Sequence, residues 1–230
     1  MTAAASSWPL ADREPYRMSA ETFRRMVEEG VFGFDSAGLI DGVVMAGGEP
    51  YRFDTDQYHR IAERGILGPK DRVVLLEGLL VQKMPIYPPH AWAVTGCARL
   101  LTFLLFPAWT VRSQQPITLS ASEPEPDDWV ARGPERTYAG RHPTASEVVL
   151  VVEVADSSLR TDRVDSARIY GDAGIPVYWI INLIDRQVEV MTQPTATGYA
   201  QRMDCLLGEA VPVILDGAHV GDLLVDDLLP

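Results

Sequence analysis

EVVLVVEVA, Glu147 to Ala155, is the stretch whose reading decides the fold class of this 230-residue chain. A near-continuous run of β-branched residues is the pattern of a central strand covered on both faces. Working outward, a helical stretch falls near Thr161 to Ala173, and VYWIINL (177–183) and RQVEVM (186–191) read as two strands joined at an Ile184-Asp185 turn. Upstream, the pattern predicts a helix from His90 to Phe106, stopped by Pro107, and then a strand in WTVRSQQPITL interrupted at Pro116. Strands alternating with helices place the chain in the α/β (α+β) class, with a mixed central sheet flanked by helices. Residues 192–230, richer in Gly, Leu and Asp, read as a short acidic hairpin and tail.

Composition narrows the function. With 47% hydrophobic and 23% charged residues the chain can bury a sizeable core, which excludes a disordered protein. Acidic residues outnumber basic ones by 32 to 20, and only Lys70 and Lys83 are lysines, so a strongly basic nucleic-acid binder is excluded. Six of the acidic residues, Asp204, Glu209, Asp216, Asp222, Asp226 and Asp227, lie in the last 27 residues without any Lys or Arg, leaving the body only mildly acidic. Cys97 and Cys205 form no metal or disulfide pattern and read as buried small hydrophobes. No secretory signal and no membrane span is read, so a cytoplasmic protein is expected.

The N-terminal third of the chain contains an internal echo. YRMSAETFRRMVEEGVFG from Tyr16 aligns with YRFDTDQYHRIAERGILG from Tyr51, 35 residues on, and after one inserted residue LIDGVVM aligns with LLEGLLV. Each copy predicts a short amphipathic helix, closed by Gly30 or Gly65, leading to a β-hairpin. Asp41-Gly42 is a good two-residue turn signal, whereas Glu77-Gly78 is a poorer one because glutamate tolerates positive φ badly. The expected organisation is an extension over 1–50, a central domain over 51–191 and the acidic hairpin and tail over 192–230.

Glu153 stands out on energetic grounds, because it interrupts a run in which every neighbour calls for burial. An ionised carboxylate in such a place must protonate, pair with a cation or bind a metal, unless it lies at the open end of the strand facing solvent or an arginine. Pro126-Asp127-Asp128 offers a second source of carboxylates. Carboxylates from adjacent strand ends suit a hard divalent cation, which takes oxygen ligands and keeps several waters. No phosphate-binding glycine loop, serine elbow or zinc-binding HExxH competes with this reading. His59, His90, His142 and His219 are scattered, Tyr170, Tyr178 and Trp179 read as core aromatics, and Arg132, Arg136 and Arg141 as a solvated loop.

Taken in order, YRFDTDQYHRIAERGIL, DRVVLLEGLLVQKMPIYPPH, SEPEPDDWVARGP, HPTASEVVLVVEVADSSLRTDR and YGDAGIPVYWIINLIDRQVEV resemble the Uma-type family of restriction endonucleases, within the PD-(D/E)xK nuclease superfamily. The resemblance spans Tyr51 to Met191. It implies a restriction-endonuclease-like core in which Asp127 is the PD aspartate and Glu153 the strand glutamate, together holding Mg²⁺ (or Mn²⁺). It further implies Glu77 as a third acidic residue, with Asp41 its counterpart in the first copy, and His90 also matches the family pattern. One departure stands out. The superfamily's lysine two residues after the glutamate is here Ala155, and the position matching the Uma-type lysine on the following helix is Ser166. Arg163, three residues earlier on that helical face, and Lys83, on the hairpin after Glu77, are the candidate substitutes for the missing cation.

The expectation is therefore a metal-dependent endonuclease hydrolysing DNA phosphodiester bonds, with Asp127 and Glu153 as metal ligands and Glu77, Arg163 and Lys83 assisting. DNA is the expected substrate, no membrane is involved, and a homodimer is a candidate assembly. The main alternative is a catalytically impaired relative that keeps the fold and acts as a nucleic-acid-binding or protein-interaction module, and a third reading is a metal-dependent enzyme acting on another phosphate-containing substrate. The carboxylates of Asp127 and Glu153 are expected to converge roughly 4–5 Å apart, given Mg–O distances of ~2.1 Å.

Overall fold

The structure, a computed structural model, describes residues 8–10, 12–33 and 36–230. The chain forms two compact units, one running up to Met84 together with Ser120–Pro124, the other comprising Pro85–Leu119 and Glu125–Pro230. This division differs from the expected boundaries at 50/51 and 191/192, for reasons visible in each unit.

In the first unit both copies of the echo fold alike. Copy one gives α1 (Ala20–Glu28), β1 (Gly38–Ile40) and β2 (Val43–Ala46), then β3 (Glu49–Pro50); copy two gives α2 (Thr55–Glu63), β4 (Val73–Leu76) and β5 (Leu79–Gln82). Ser19 caps α1 by accepting from the Thr22 amide, and Asp54 and Gln57 close a reciprocal capping box on α2. Phe32, Tyr51 and Phe53 pack against one another at tilted to edge-on angles, in the core that also holds Met26 of α1 and Ile61 of α2.

The copies are also interlocked. Tyr16 donates its amide to Leu80 in the second hairpin, and Tyr51 donates to Val44 in the first. Pro15 bridges to Val81 as Pro50 pairs with Met45, so the repeat begins at Glu14-Pro15 and Glu49-Pro50, two residues before the aligned tyrosines. The first 50 residues are thus half of one core rather than an extension to another.

The Glu77-Gly78 turn forms in spite of its sequence, with Glu77 at φ 49° and Gly78 at φ 78°, close to Asp41 and Gly42 at 49° and 81°. Two contacts compensate for a glutamate in the left-handed region. Its amide donates to Ser122 Oγ at 2.8 Å, and the Arg52 guanidinium donates to its carbonyl.

The second unit is built on a six-stranded sheet of order β11-β10-β9-β8-β7-β6. Its helix α3 (Pro88–Leu105) precedes β6 (Trp109–Ser113), β7 (Asp128–Arg132) and β8 (Val148–Ala155). A helical passage follows, made of α4 (Leu159–Thr161), a π-turn (Asp162–Ser166) and α5 (Ala167–Asp172), then β9 (Val177–Asn182), β10 (Gln187–Thr195) and β11 (Gly198–Leu206). β8 and β9 pair in parallel and the other neighbours are antiparallel, which gives the mixed sheet flanked by helices read from the sequence. Helix α3 begins two residues before the expected His90 because Pro88 and Pro89 suit the first helical turn, where an amide has no intrahelical partner.

β8 is the covered central strand, as its residues demand: every residue except Glu153 is buried. Val152 and Val154 face the core shared with α3, while the next residue of the alternation, Glu153, takes the opposite side. The turn after β9 spans four residues rather than two, because Asn182 Oδ1 accepts from the amides of both Ile184 and Asp185. The C-terminal residues are no tail. β10 runs through Met191 to Thr195, and the β12 (Ala210–Leu215)/β13 (Ala218–Leu224) hairpin with α6 (Val225–Leu228) places Val211, Val213, Leu223 and Leu228 in the α3 core. No helix among the described residues is long and apolar enough to cross a membrane.

Candidate active site

The antiparallel register that sets Asp128 opposite Val152 puts Asp127 beside Glu153 at neighbouring strand ends. The two residues interlock. The Asp127 amide donates to Glu153 Oε2 at 3.3 Å, and the Val154 amide donates to Asp127 Oδ2 at 2.9 Å. Tyr170 Oη, brought by α5, donates to Glu153 Oε1 at 2.6 Å. His90 Nε2, in the first turn of α3, lies 3.0 Å from Asp127 Oδ2. Four elements of one unit therefore meet at this carboxylate pair.

Strand alternation separates the two aspartates of the Pro-Asp-Asp run. Asp127 lies at the pair, whereas Asp128 is fully buried, with Oδ1 accepting from Ser113 Oγ at 2.5 Å and Oδ2 without a hydrogen-bond partner. Burial, reinforced by the negative charge of Asp127, pushes the Asp128 carboxyl up to about 8 against the pull of Ser113, Cys97 and His90, so it is protonated at neutral pH. Burial draws the His90 pKa down, but the hydrogen bond and charge of Asp127, with the charges of Asp162 and Asp156, outweigh it and leave the imidazole raised. His90 thus sits in an acidic field.

The helical passage after β8 carries Ser166, the residue expected at the position of the family's lysine. Ser166 is buried and donates to Asp162 Oδ1 at 3.1 Å, while Ser158 donates to Asp162 Oδ2 at 2.5 Å. Arg163 is turned elsewhere. Its Nε and Nη2 donate to Glu189 at 3.0 and 2.5 Å, and Nη2 also reaches Asp185 at 3.4 Å. Glu189, fully buried on β10, further takes Asn182 Nδ2 at 2.8 Å and Arg202 at 3.2 Å. Arg163 is therefore committed to a structural carboxylate and does not supply the cation expected at Asp127 and Glu153.

Glu77 and Lys83 belong to the first unit, Glu77 at the hairpin turn and Lys83 just beyond β5. Of the arginines read as a solvated loop, Arg132, the last residue of β7, pairs with Asp216, and Arg141 pairs with Glu147, whose carboxyl the guanidinium holds down to about 2. Three contributors had no local signal in the sequence. The Tyr170 ring is core, packed against Tyr178 at 5.2 Å, while its hydroxyl orients Glu153 from 17 residues away. Asn182 and Glu189 read as ordinary strand residues until the sheet brings Arg163 to them.

Among the described residues no three His, Cys, Asp or Glu side chains are grouped as a ready-made metal cage. The donor set at the strand ends is two carboxylates with lone pairs beyond those taken by Tyr170, His90 and the amides. That set fits a hard cation such as Mg²⁺, which is held by one or two carboxylates and fills its remaining positions with water and phosphate oxygens.

Comparison with known proteins bears on this geometry. The Uma2 family profile, described as "Putative restriction endonuclease", matches residues 55–217. The crystal structure of a protein described as "a putative nuclease belonging to DUF820", from Anabaena variabilis ATCC 29413, superposes with a TM-score of 0.52 at 16% identity, covering 68% of this chain and 88% of that one. At that identity the likeness is one of fold. No curated protein matches the chain.

Proposed function

The chain belongs to the Uma2 family, and from that premise we propose that it is a metal-dependent endonuclease cleaving DNA, with Asp127 and Glu153 as the ligands of Mg²⁺ or Mn²⁺. One observation carries this reading: two carboxylates on adjacent strands are interlocked at the strand ends of a restriction-endonuclease-like sheet. A bound ion supplies a polarised water and neutralises charge on a phosphoryl group. The protein's own residues prepare for it. Tyr170 fixes one oxygen of Glu153, the Val154 amide and His90 fix one oxygen of Asp127, and each carboxylate keeps lone pairs in a defined direction. The neighbouring Asp128, kept protonated by burial, adds no third negative charge. Glu77, Lys83 and Arg163 have no part in this proposal.

A second reading, a nuclease-fold module that binds without cleaving, is favoured by one observation. At the position matching the family's lysine stands Ser166, its hydroxyl given to Asp162. Loss of such a cation costs roughly 10²–10³-fold in rate. Plasmid nicking in Mg²⁺ and in Mn²⁺, compared between the natural chain and Glu153→Ala, separates the two. The nuclease reading expects metal-dependent nicking that the substitution abolishes. Absence of nicking by folded protein, on single- and double-stranded DNA alike, would leave the module.

A further inference from the structure

The two copies of the N-terminal repeat are near-equivalent in backbone and differ at one edge. In copy two, the outer edge of β4 is covered by Ser120–Pro124: the Glu123 amide donates to Leu75 O at 2.7 Å and the Gly78 amide to Ala121 O at 2.7 Å. Ser122 Oγ takes the Glu77 amide, and the Glu123 carboxylate meets His59 at 3.1 Å. Leu76 on that edge is buried.

In copy one the corresponding groups are Leu39 O, the Gly42 amide and the Asp41 amide, and none forms a hydrogen bond among the described residues. Ile40, the counterpart of Leu76, is 58% exposed. Arg24 stands where copy two has His59, exposed on α1 and without an ion pair among the described residues. The remaining framework matches on both sides. The Met18 amide donates to Gly42 O as Phe53 does to Gly78 O, and Arg17 bonds the Asp41 carbonyl as Arg52 bonds that of Glu77.

We propose that the β1 edge is a docking site for an extended acidic peptide segment of a partner protein, bound as a fourth strand beside β1 with a glutamate or aspartate against Arg24. The occupant's chemistry is set by the filled copy: a small residue, a serine whose hydroxyl takes the turn amide, then an acidic residue whose amide reaches the strand carbonyl. Main-chain bonds to an open edge give the affinity of such a site and side-chain pockets its selectivity. The substitution of arginine for histidine keeps the site cationic at every physiological pH.

The test uses the full chain and a synthetic peptide of the sequence Leu-Ser-Ala-Ser-Glu-Pro-Glu, copied from residues 119–125. Saturable binding is expected, with the amide resonances of Leu39, Asp41 and Gly42 moving most. Arg24→Glu should weaken it about fivefold, since an attraction becomes a repulsion at an exposed pair. Methylation of the peptide's first glutamate nitrogen should weaken it about tenfold by removing the bond to Leu39 O. His59→Gln should leave it unchanged. Absence of saturable binding, binding indifferent to Arg24→Glu, or perturbation centred on β4 would each overturn the proposal. So would self-association through β1 that the peptide does not displace, which would make a second copy the occupant.

Discussion

Two acidic places in the same sheet have opposite settings. Glu189 is fully buried and matched by guanidinium groups from Arg163 and Arg202 and an amide from Asn182. Asp127, two strands away in the order β9-β8-β7 from the strand next to Glu189, pairs with no arginine or lysine among the described residues. It and Glu153 are held by a tyrosine hydroxyl, an imidazole and main-chain amides, groups that orient carboxylates and leave lone pairs over. The first arrangement is complete without a ligand. The second keeps lone pairs over, and this contrast is why the pair, and not Glu189, is proposed as the cation site.

The largest effect expected from breaking this contrast is on stability at the complete site. Glu189→Ala removes the fully buried carboxylate that Arg163, Arg202 and Asn182 all bond, leaving the arginines only Asp185 and Asp204, and should cost about 3–5 kcal/mol, read from urea unfolding. Asp127→Asn should cost far less, because the asparagine oxygen still accepts from the Val154 amide. Equal losses would mean that the two sites are of one kind.

Next in size is the pH dependence set by Asp128. Its folded pKa of about 8 lies above the ordinary 3.8, so between those values the folded state holds a proton that the unfolded state has lost. Stability from this group is fully present below pH 3.8 and is lost as pH rises through about 8. Asp128→Asn should flatten the curve between pH 5 and pH 8 by about 3–4 kcal/mol in unfolding free energy. An unchanged slope would place the proton elsewhere.

The smallest effect sharpens the open site. Tyr170→Phe removes one donor to Glu153 and should cost about 1 kcal/mol of stability, while lowering Mn²⁺ affinity through a less well-held carboxylate. A loss of stability with unchanged Mn²⁺ affinity would show that the hydroxyl serves packing alone.

Much of this was legible in the residues. EVVLVVEVA declared a doubly covered strand, and a carboxylate inside it marked a candidate site, because a charge buried in such a run needs a partner. The Pro-Asp-Asp run gave two candidate carboxylates, and only the pleat of β7 tells which of them faces Glu153. Arg163 looked available because helical spacing shows the face a residue occupies and not the partner that reaches it from β10, 26 residues on. The duplicated helix and hairpin were visible as sequence, but their crosswise pairing through Tyr16 and Tyr51 is tertiary, and so is the recruitment of the last 39 residues into the α3 core. Local pattern sets elements; which distant element completes each one is decided by packing.

The central claim, that Asp127 and Glu153 form a cation site and Glu189 does not, is tested most directly by Mn²⁺ added to isotope-labelled protein. The account predicts selective paramagnetic broadening of His90, Val154 and Tyr170 resonances, absent around Asn182 and Arg202, and abolished by Asp127→Asn with Glu153→Gln. Broadening that is uniform, centred on Glu189, or unaffected by the double substitution would contradict it.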